Sequence, residues 1–199
     1  MALPKLVITD IDGVWTDGGM YYTADGDVMK RFSVKDGWGV LFLREFGIPV
    51  AIMTGENTQI VQKRAAKLKI ERCYLGVNDK LAKARELCEE MGITLADVAF
   101  IGDDINDIRL LREVGFSASP ANTPVYIKKE VHYVTSAHGG FGAAQQGGFG
   151  GQQGGFGGQG GFGGQGGFGS QGGFGGQGGF GGQGGFGGQG GFGGQGGFG

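Results

Sequence analysis

The chain contains one stretch that decides its fold, Leu6-Val7-Ile8-Thr9-Asp10-Ile11-Asp12-Gly13. It begins with apolar residues that do not alternate with polar ones, which is typical of a strand buried on both faces of a parallel sheet. Val50–Met53 and Val98–Ile101 have the same character. A polar turn follows each of them, Thr54-Gly55 after the first and Gly102-Asp103-Asp104 after the second. The three runs therefore predict the central strands of a parallel sheet.

Segments with helical periodicity separate these strands. The expected helices follow Asp36, follow Asn57 or Thr58, span residues 79–91 up to Gly92, and span residues 105–114. Weaker strand patterns lie at residues 116–118 and 133–135. Strand and helix in this alternation predict an α/β fold, a Rossmann-like doubly wound parallel sheet with helices on both faces.

Residues 19–32 interrupt that alternation. Two short segments rich in aromatic and β-branched residues flank Asp25-Gly26, which is the pattern of a β-hairpin. The hairpin follows directly after the first strand. No segment is long enough to form a separate cap domain, so we expect a hairpin flap in its place.

The charged residues divide the chain into two parts. The 17 Lys and Arg and the 19 Asp and Glu all precede residue 139, whereas 37 of the 49 Gly lie from residue 139 onward. We therefore expect one folded domain over residues 1–144 and a low-complexity Gly/Phe/Gln tail over residues 145–199. Gly-rich repeats lose much conformational entropy on ordering, so the tail is predicted to be disordered.

Composition also excludes several classes of protein. The formal net charge is −2 and the basic residues are dispersed, which argues against nucleic-acid binding. No apolar run approaches the length of a membrane span, and the first residues do not resemble a signal peptide. Cys73 and Cys88 form no disulfide framework, so we interpret them as thiols of a cytoplasmic protein.

Polar side chains collect at the predicted carboxyl ends of the strands, where open parallel sheets bind ligands. They are Asp10, Asp12, Thr54, Lys80, Asp103, Asp104 and Asp107. Carboxylate oxygens in such number favour Mg²⁺, and the ion would attract a phosphate. Lys80 and Thr54 could then neutralise phosphoryl oxygens. Asp10 could attack phosphorus to give an aspartyl phosphate, while Asp12 serves as acid and then as base.

These residues resemble the four motifs of the haloacid dehalogenase superfamily. The motifs are Asp10-Ile11-Asp12-Gly13-Val14-Trp15-Thr16-Asp17-Gly18, Met53-Thr54-Gly55-Glu56, Asn78-Asp79-Lys80 and Gly102-Asp103-Asp104-Ile105-Asn106-Asp107. The first motif, followed by a hairpin, is similar to that of the capless phosphatases of 2-keto-3-deoxy sugar acids. The resemblance covers about residues 5–144.

The resemblance implies a role for each motif residue. Asp10 is expected to be the nucleophile, and Asp12 the acid and base. Asp10, Asp103 and the backbone carbonyl of Asp12 are the expected Mg²⁺ ligands. The remaining expected roles are phosphoryl binding by Thr54, Gly55 and Lys80, and support of Lys80 or of metal-bound water by Asp104, Asn106 and Asp107.

The residues leave the substrate open between two sugar acids. Glu56 with Arg64 and Lys67, two cations that share a helix face, resembles the 2-keto-3-deoxynononate 9-phosphate phosphatases. We favour that nine-carbon acid. The segment at residues 34–39 resembles instead the 3-deoxy-D-manno-octulosonate 8-phosphate phosphatases, which are the alternative.

The family resemblance also implies a homotetramer in which a neighbour's hairpin closes the site. It further implies an Arg and a C-terminal helix after Gly142, but Gln145 replaces that Arg and we predict no helix there. Two functions of other classes remain: a phospho-acceptor signalling domain, and a non-catalytic assembly protein driven by the tail. The spacing of Asp10 and Asp12 argues against the first, and the intact motif set against the second.

Overall fold

The computed structural model describes residues 3–147, and the predicted disordered tail lies almost entirely outside them. The strands are β1 (Leu6–Thr9), β2 (Tyr21–Thr23), β3 (Gly26–Met29), β4 (Val50–Met53), β5 (Arg72–Tyr74), β6 (Val98–Ile101), β7 (Phe116–Ser119) and β8 (Tyr133–Val134). Six of them form a parallel sheet in the order β5-β4-β1-β6-β7-β8. The predicted doubly wound sheet is confirmed, with β1 at its centre.

Residues 3–147 also form six helices. They are α1 (Val34–Glu45), α2 (Gln59–Lys67), α3 (Lys80–Met91), α4 (Ile108–Glu113), α5 (Val125–Lys128) and α6 (Ala143–Gly147). Two short 3₁₀ turns, Leu95–Asp97 and Ile105–Asp107, precede β6 and α4. Thr58 caps α2, Asp79 caps α3, and Gly92 ends α3 in the left-handed conformation.

The predicted cap of α1 is wrong. Ser33 caps this helix and accepts the N–H of Lys35, whereas Asp36 lies inside the first turn and is fully buried. The carboxylate of Asp36 instead accepts the N–H groups of Gly142 and Ala144 at 3.2 and 2.9 Å. The carboxylate of Asp36, which the sequence pattern assigned to helix capping, therefore binds backbone groups of a segment far along the chain.

Two apolar clusters cover the opposite faces of the sheet. Leu6 and Ile8 point into the cluster that contains Phe100 and the inward residues of α3 and α4. The other main cluster contains Trp15 and Val61, from the loop after β1 and from α2. Burial on both faces explains why the sequence of β1 does not alternate.

The predicted hairpin is present as β2 and β3. The two strands pair antiparallel, with Tyr21 opposite Met29 and a bulge after Tyr21. The turn residues are Ala24 and Asp25, and Gly26 already belongs to β3 at φ +112°. Within residues 3–147 no helix is long and apolar enough to cross a membrane.

A short helix follows Gly142, where we predicted none. Ala143 and Ala144 of α6 are buried, and their helix packs against α1. Gly39 permits that approach, because a Cβ at this position would lie 2.8 Å from Cα of Gln145. The helix escaped prediction because a helix of five residues is not stable alone, and this one is stabilised by packing on α1.

Candidate active site

A buried lysine occupies the carboxyl edge of the sheet. Lys80 begins α3 and is 1% exposed. Its Nζ lies 2.9 Å from Oδ1 of Asp10 and 2.6 Å from Oδ1 of Asp107. Lysine is almost never buried so completely unless it is paired. Three predicted site residues from three separate loops are thus in direct contact.

A third carboxylate adjoins this ion pair. Ligand oxygens of Asp10, Asp103 and Asp107 all lie within 4.8 Å of one another. Burial raises the pKa of Asp10 to about 7, although Lys80 opposes the shift. Burial, followed by the negative charge of Asp10 and Asp107, raises the pKa of Asp103 to about 8. The cluster therefore carries more negative charge than one ammonium neutralises, and its oxygens can hold a cation.

Asp107 acts as a support for its neighbours. Its Oδ2 accepts the backbone N–H groups of Asp103 at 2.9 Å and of Asp104 at 3.1 Å. Its Oδ1 binds Lys80. The side chain of Asp104 accepts the N–H of Ile105 and so begins the 3₁₀ turn. Because its oxygens are engaged in this way, Asp107 is better placed to orient Lys80 and the Asp103 loop than to bind a ligand itself.

The loop after β1 lies directly against Asp103. Gly13 has φ +81°, and a Cβ there would lie 1.9 Å from Oδ2 of Asp103. The indole Nε1 of Trp15 donates to Oγ1 of Thr9 at 2.8 Å, which fixes the loop from inside. The backbone N–H of Asp10 donates to the carbonyl of Ile101, joining β1 to β6. Glycine is required at position 13 because two acidic loops meet there.

The loops after β4 and β6 also lie side by side. Thr54 is 1% exposed, and its Oγ1 accepts the N–H of Glu56 at 3.3 Å. A Cβ at Gly55 would lie 3.8 Å from Nδ2 of Asn106. The predicted phosphate-binding turn and the predicted supporting amide are therefore neighbours at the same edge.

Three comparisons with known proteins place the chain in a family. Residues 39–115 match the family model described as haloacid dehalogenase-like hydrolase. The 3-deoxy-D-manno-octulosonate 8-phosphate phosphatase of Haemophilus influenzae is 39% identical over 142 residues, which cover 71% of this chain and 79% of that protein. The chain belongs to the haloacid dehalogenase-like hydrolases.

Solved structures of related proteins agree with this assignment. A cobalt-bound deoxy-D-mannose-octulosonate 8-phosphate phosphatase from Haemophilus influenzae has TM-score 0.69 and 39% identity, covering 72% of this chain and 84% of that one. An octulosonate 8-phosphate phosphatase from Moraxella catarrhalis, in complex with magnesium, phosphate and the sugar acid, has TM-score 0.69 and 37% identity. It covers 72% of this chain and 82% of that chain. The hydrolase is thus a phosphoric monoester hydrolase of the sugar-acid phosphatase type.

Of the three predicted substrate residues, Arg64 has partners at the start of α1. In the hydrolase, Arg64 donates to the carbonyl of Ser33 at 3.1 Å and its guanidinium lies 5.6 Å from the ring centroid of Phe32. Burial lowers the pKa of Arg64, and Asp36 opposes that shift. Glu56 and Lys67 are exposed, and no hydrogen bond or ion pair within residues 3–147 joins them to Arg64. Arg64 therefore supports the start of α1.

Sequence reasoning missed one residue beside the predicted acid/base. Lys30, just after β3, lies 2.7 Å from Oδ1 of Asp12. The available signal was a lysine that follows the apolar pair Val28-Met29 at the base of the hairpin. That signal is weak, because nothing in a hairpin sequence indicates what its base contacts.

Proposed function

We propose that this protein is a Mg²⁺-dependent phosphatase of 3-deoxy-D-manno-octulosonate 8-phosphate that works through an aspartyl phosphate. One observation carries the proposal: the buried Lys80 binds Asp10 and Asp107 beside the carboxylate of Asp103. Such a cluster suits a phosphoryl group together with a divalent cation. The relatives named above act on this eight-carbon substrate.

The carboxylates fit Mg²⁺. Oδ1 of Asp103 is buried and has no hydrogen-bond partner within residues 3–147. Burial, together with neighbouring carboxylates, raises the pKa of both Asp10 and Asp103, and a bound cation would offset this cost. The donor set is oxygen alone, as Mg²⁺ prefers. Asp10, Asp103 and the backbone carbonyl of Asp12 would hold the ion, which when bound neutralises phosphoryl oxygens and orients the ester.

The chain's own residues perform the proton and bond changes. A carboxylate oxygen of Asp10 attacks phosphorus, and the bond from phosphorus to the sugar oxygen breaks. Asp12, protonated at this stage, gives its proton to the departing oxygen. Water then attacks the aspartyl phosphate and returns a proton to Asp12, which releases phosphate and restores Asp10. Lys80 and Thr54 bind the phosphoryl oxygens during both steps.

The eight-carbon substrate replaces the nine-carbon acid that the sequence favoured. The nine-carbon acid was favoured because Glu56, Arg64 and Lys67 resemble its phosphatases, and these three residues stay a prediction of the substrate site. The named relatives are octulosonate 8-phosphate phosphatases. These relatives favour the eight-carbon ester over the nononate 9-phosphate.

A homotetramer remains part of the proposal. Met20 and Tyr22 on the hairpin are 48% and 57% exposed, and Val28 and Met29 of the opposite strand are exposed as well. Exposed apolar side chains on both strands of one hairpin suit a contact with another chain. Light scattering coupled to gel filtration would measure the assembly, and a monomeric mass for an active enzyme would reject it.

A cytoplasmic location is also proposed. Cys73 and Cys88 are both free thiols. Free cysteines are typical of proteins in a reducing compartment. Fractionation of the producing cell with an antibody against the chain would test it.

The proposed reaction is tested by phosphate release. The protein is assayed with octulosonate 8-phosphate and with nononate 9-phosphate, each with Mg²⁺ and with EDTA. We expect turnover of the first substrate that EDTA abolishes, and none from Asp10→Asn. Glu89→Gln, which removes an exposed carboxylate on α3, is the matched control. Retained turnover in Asp10→Asn would reject the mechanism, and a preference for the nine-carbon ester would reject the substrate.

A further inference from the structure

The hairpin sends one side chain deep into the protein. Lys30 follows β3, whose last residues are exposed, yet its side chain is 1% exposed. Its Nζ lies 2.7 Å from Oδ1 of Asp12 and 3.5 Å from Oδ2 of Asp27. Burying an ammonium costs free energy that these two carboxylates must offset. The arrangement therefore fixes the base of the hairpin to the loop of Asp12.

The two oxygens of Asp12 have different surroundings. Oδ1 is held by Lys30. Oδ2 is buried and has no hydrogen-bond partner within residues 3–147. A carboxyl group that is anchored through one oxygen presents the other in a fixed direction. That is the geometry a group needs if it is to pass a proton to one particular atom.

We propose that Lys30 is a positioning residue for Asp12. Its ammonium, which also contacts Asp27, holds Oδ1 of Asp12. Oδ2 of Asp12 is thereby directed to give its proton to the leaving oxygen and then to take a proton from water. This inference rests on the proposed phosphatase function and deepens it. It makes the hairpin part of the acid/base machinery, in addition to any role in assembly.

Two other roles for Lys30 make different predictions. Direct substrate binding is opposed by its burial, since its side chain is 1% exposed. A purely structural ion pair would affect stability and would reduce turnover of all phosphate esters alike. If Lys30 positions Asp12, its loss should slow the turnover of esters whose leaving group must be protonated more than that of esters whose leaving group departs as an anion.

The experiment compares leaving groups in full-length variants. Lys30→Met keeps a buried apolar stem and removes the ammonium. The double variant Lys30→Met/Asp27→Asn restores the local net charge without restoring the anchor. Lys83→Met removes a half-buried lysine of α3 that pairs with Glu86 at 2.8 Å, outside the proposed site, and is the matched control. Each is assayed with octulosonate 8-phosphate and, in stopped flow, with nitrophenyl phosphate.

We expect Lys30→Met to lower kcat on the sugar ester by roughly 100-fold, since general acid catalysis contributes about this much. The KM should stay within about twofold, because only the transition state is affected. Nitrophenolate leaves without a proton, so its first turnover should fall by less than about tenfold and appear as a burst before slow hydrolysis. The double variant should behave like Lys30→Met, and Lys83→Met like the wild type.

Three results would overturn the proposal. They are wild-type turnover in Lys30→Met, an equal loss in the first turnover of both esters, and recovery of activity in the double variant. If Lys30→Met does not fold in a thermal melt, the charge-balanced double variant decides. A wild-type protein that releases no phosphate from either ester would refute the proposed function itself, which separates that failure from a failure of the Lys30 proposal.

Discussion

Removing the charge of Asp103 should stabilise the protein in the absence of metal. The pKa of this carboxyl is raised from 3.8 to about 8, first by burial and then by Asp10 and Asp107. The folded state therefore binds this proton more tightly than the unfolded state does. Stability must fall as pH rises from the unfolded pKa of 3.8 towards about 8, and Asp103→Asn should abolish this part of the loss.

The size of the effect follows from proton linkage. Each pH unit inside that window costs up to about 1.4 kcal/mol for one group. Between about pH 5.5 and pH 8 the upper bound is therefore about 3 kcal/mol. Asp103 is partly exposed, so solvent screening should reduce this to about 1.5 kcal/mol. For a domain of this size, that corresponds to about 5 °C in melting temperature.

The assay is a series of thermal melts in EDTA at several pH values. The melting temperature of Asp103→Asn relative to the wild type should rise by about 5 °C between about pH 5.5 and pH 8. Adding Mg²⁺ at the higher pH should stabilise the wild type and leave Asp103→Asn unchanged, because a ligand stabilises only the state that binds it. Asp25→Asn serves as the control. A pH-independent difference, or equal stabilisation of both proteins by Mg²⁺, would refute the reasoning.

Three further substitutions test other parts of the site. Gly13→Ala should reduce turnover by at least about tenfold, because its Cβ would displace the carboxylate of Asp103 from its position beside Asp10. Kinetics would measure the loss, and circular dichroism should show little change in fold. Asp36→Ala should lower the free energy of unfolding by about 3 kcal/mol, since it leaves two buried backbone N–H groups unpaired; urea titration measures this. Arg64→Ala should lower the melting temperature, whereas Lys67→Ala should not; an effect of Arg64→Ala on KM alone would restore its predicted role in substrate binding.

Local pattern was sufficient wherever an element is defined by its own residues. Val50–Met53 and Val98–Ile101 are strands with the predicted bounds, since an apolar run of four with polar turns leaves little choice. The edge arrangement of Asp10 and Lys80 followed from one topological rule, that parallel strands present their carboxyl ends together. The sequence could therefore predict the centre of the site without coordinates.

Contacts between distant residues were beyond that reasoning. Asp36 and Gly142 are 106 residues apart, and nothing in either segment indicates the other. Lys30 and Asp12 are 18 residues apart, and their pairing depends on how the hairpin folds back over the first loop. The helical pattern of α2 indicates no partner for Arg64, but its guanidinium donates to the carbonyl of Ser33 at the start of α1. In each case a polar group makes a tertiary contact that its local sequence does not indicate.

These distant contacts bear on whether the unusual C-terminus disables the enzyme. The loop after Asp10 is supported by the segment at residues 139–142. The N–H of Gly140 donates to the carbonyl of Val14, and a Cβ at Gly139 would lie 1.8 Å from the carbonyl oxygen of Gly13. Asp36 holds the end of that segment through its two backbone hydrogen bonds. All of these supporting contacts are made by residues within 3–147. Because the Asp10 loop is supported within residues 3–147, we expect any effect of the Gly/Phe/Gln-rich sequence on turnover to be a raised KM rather than a slower chemical step.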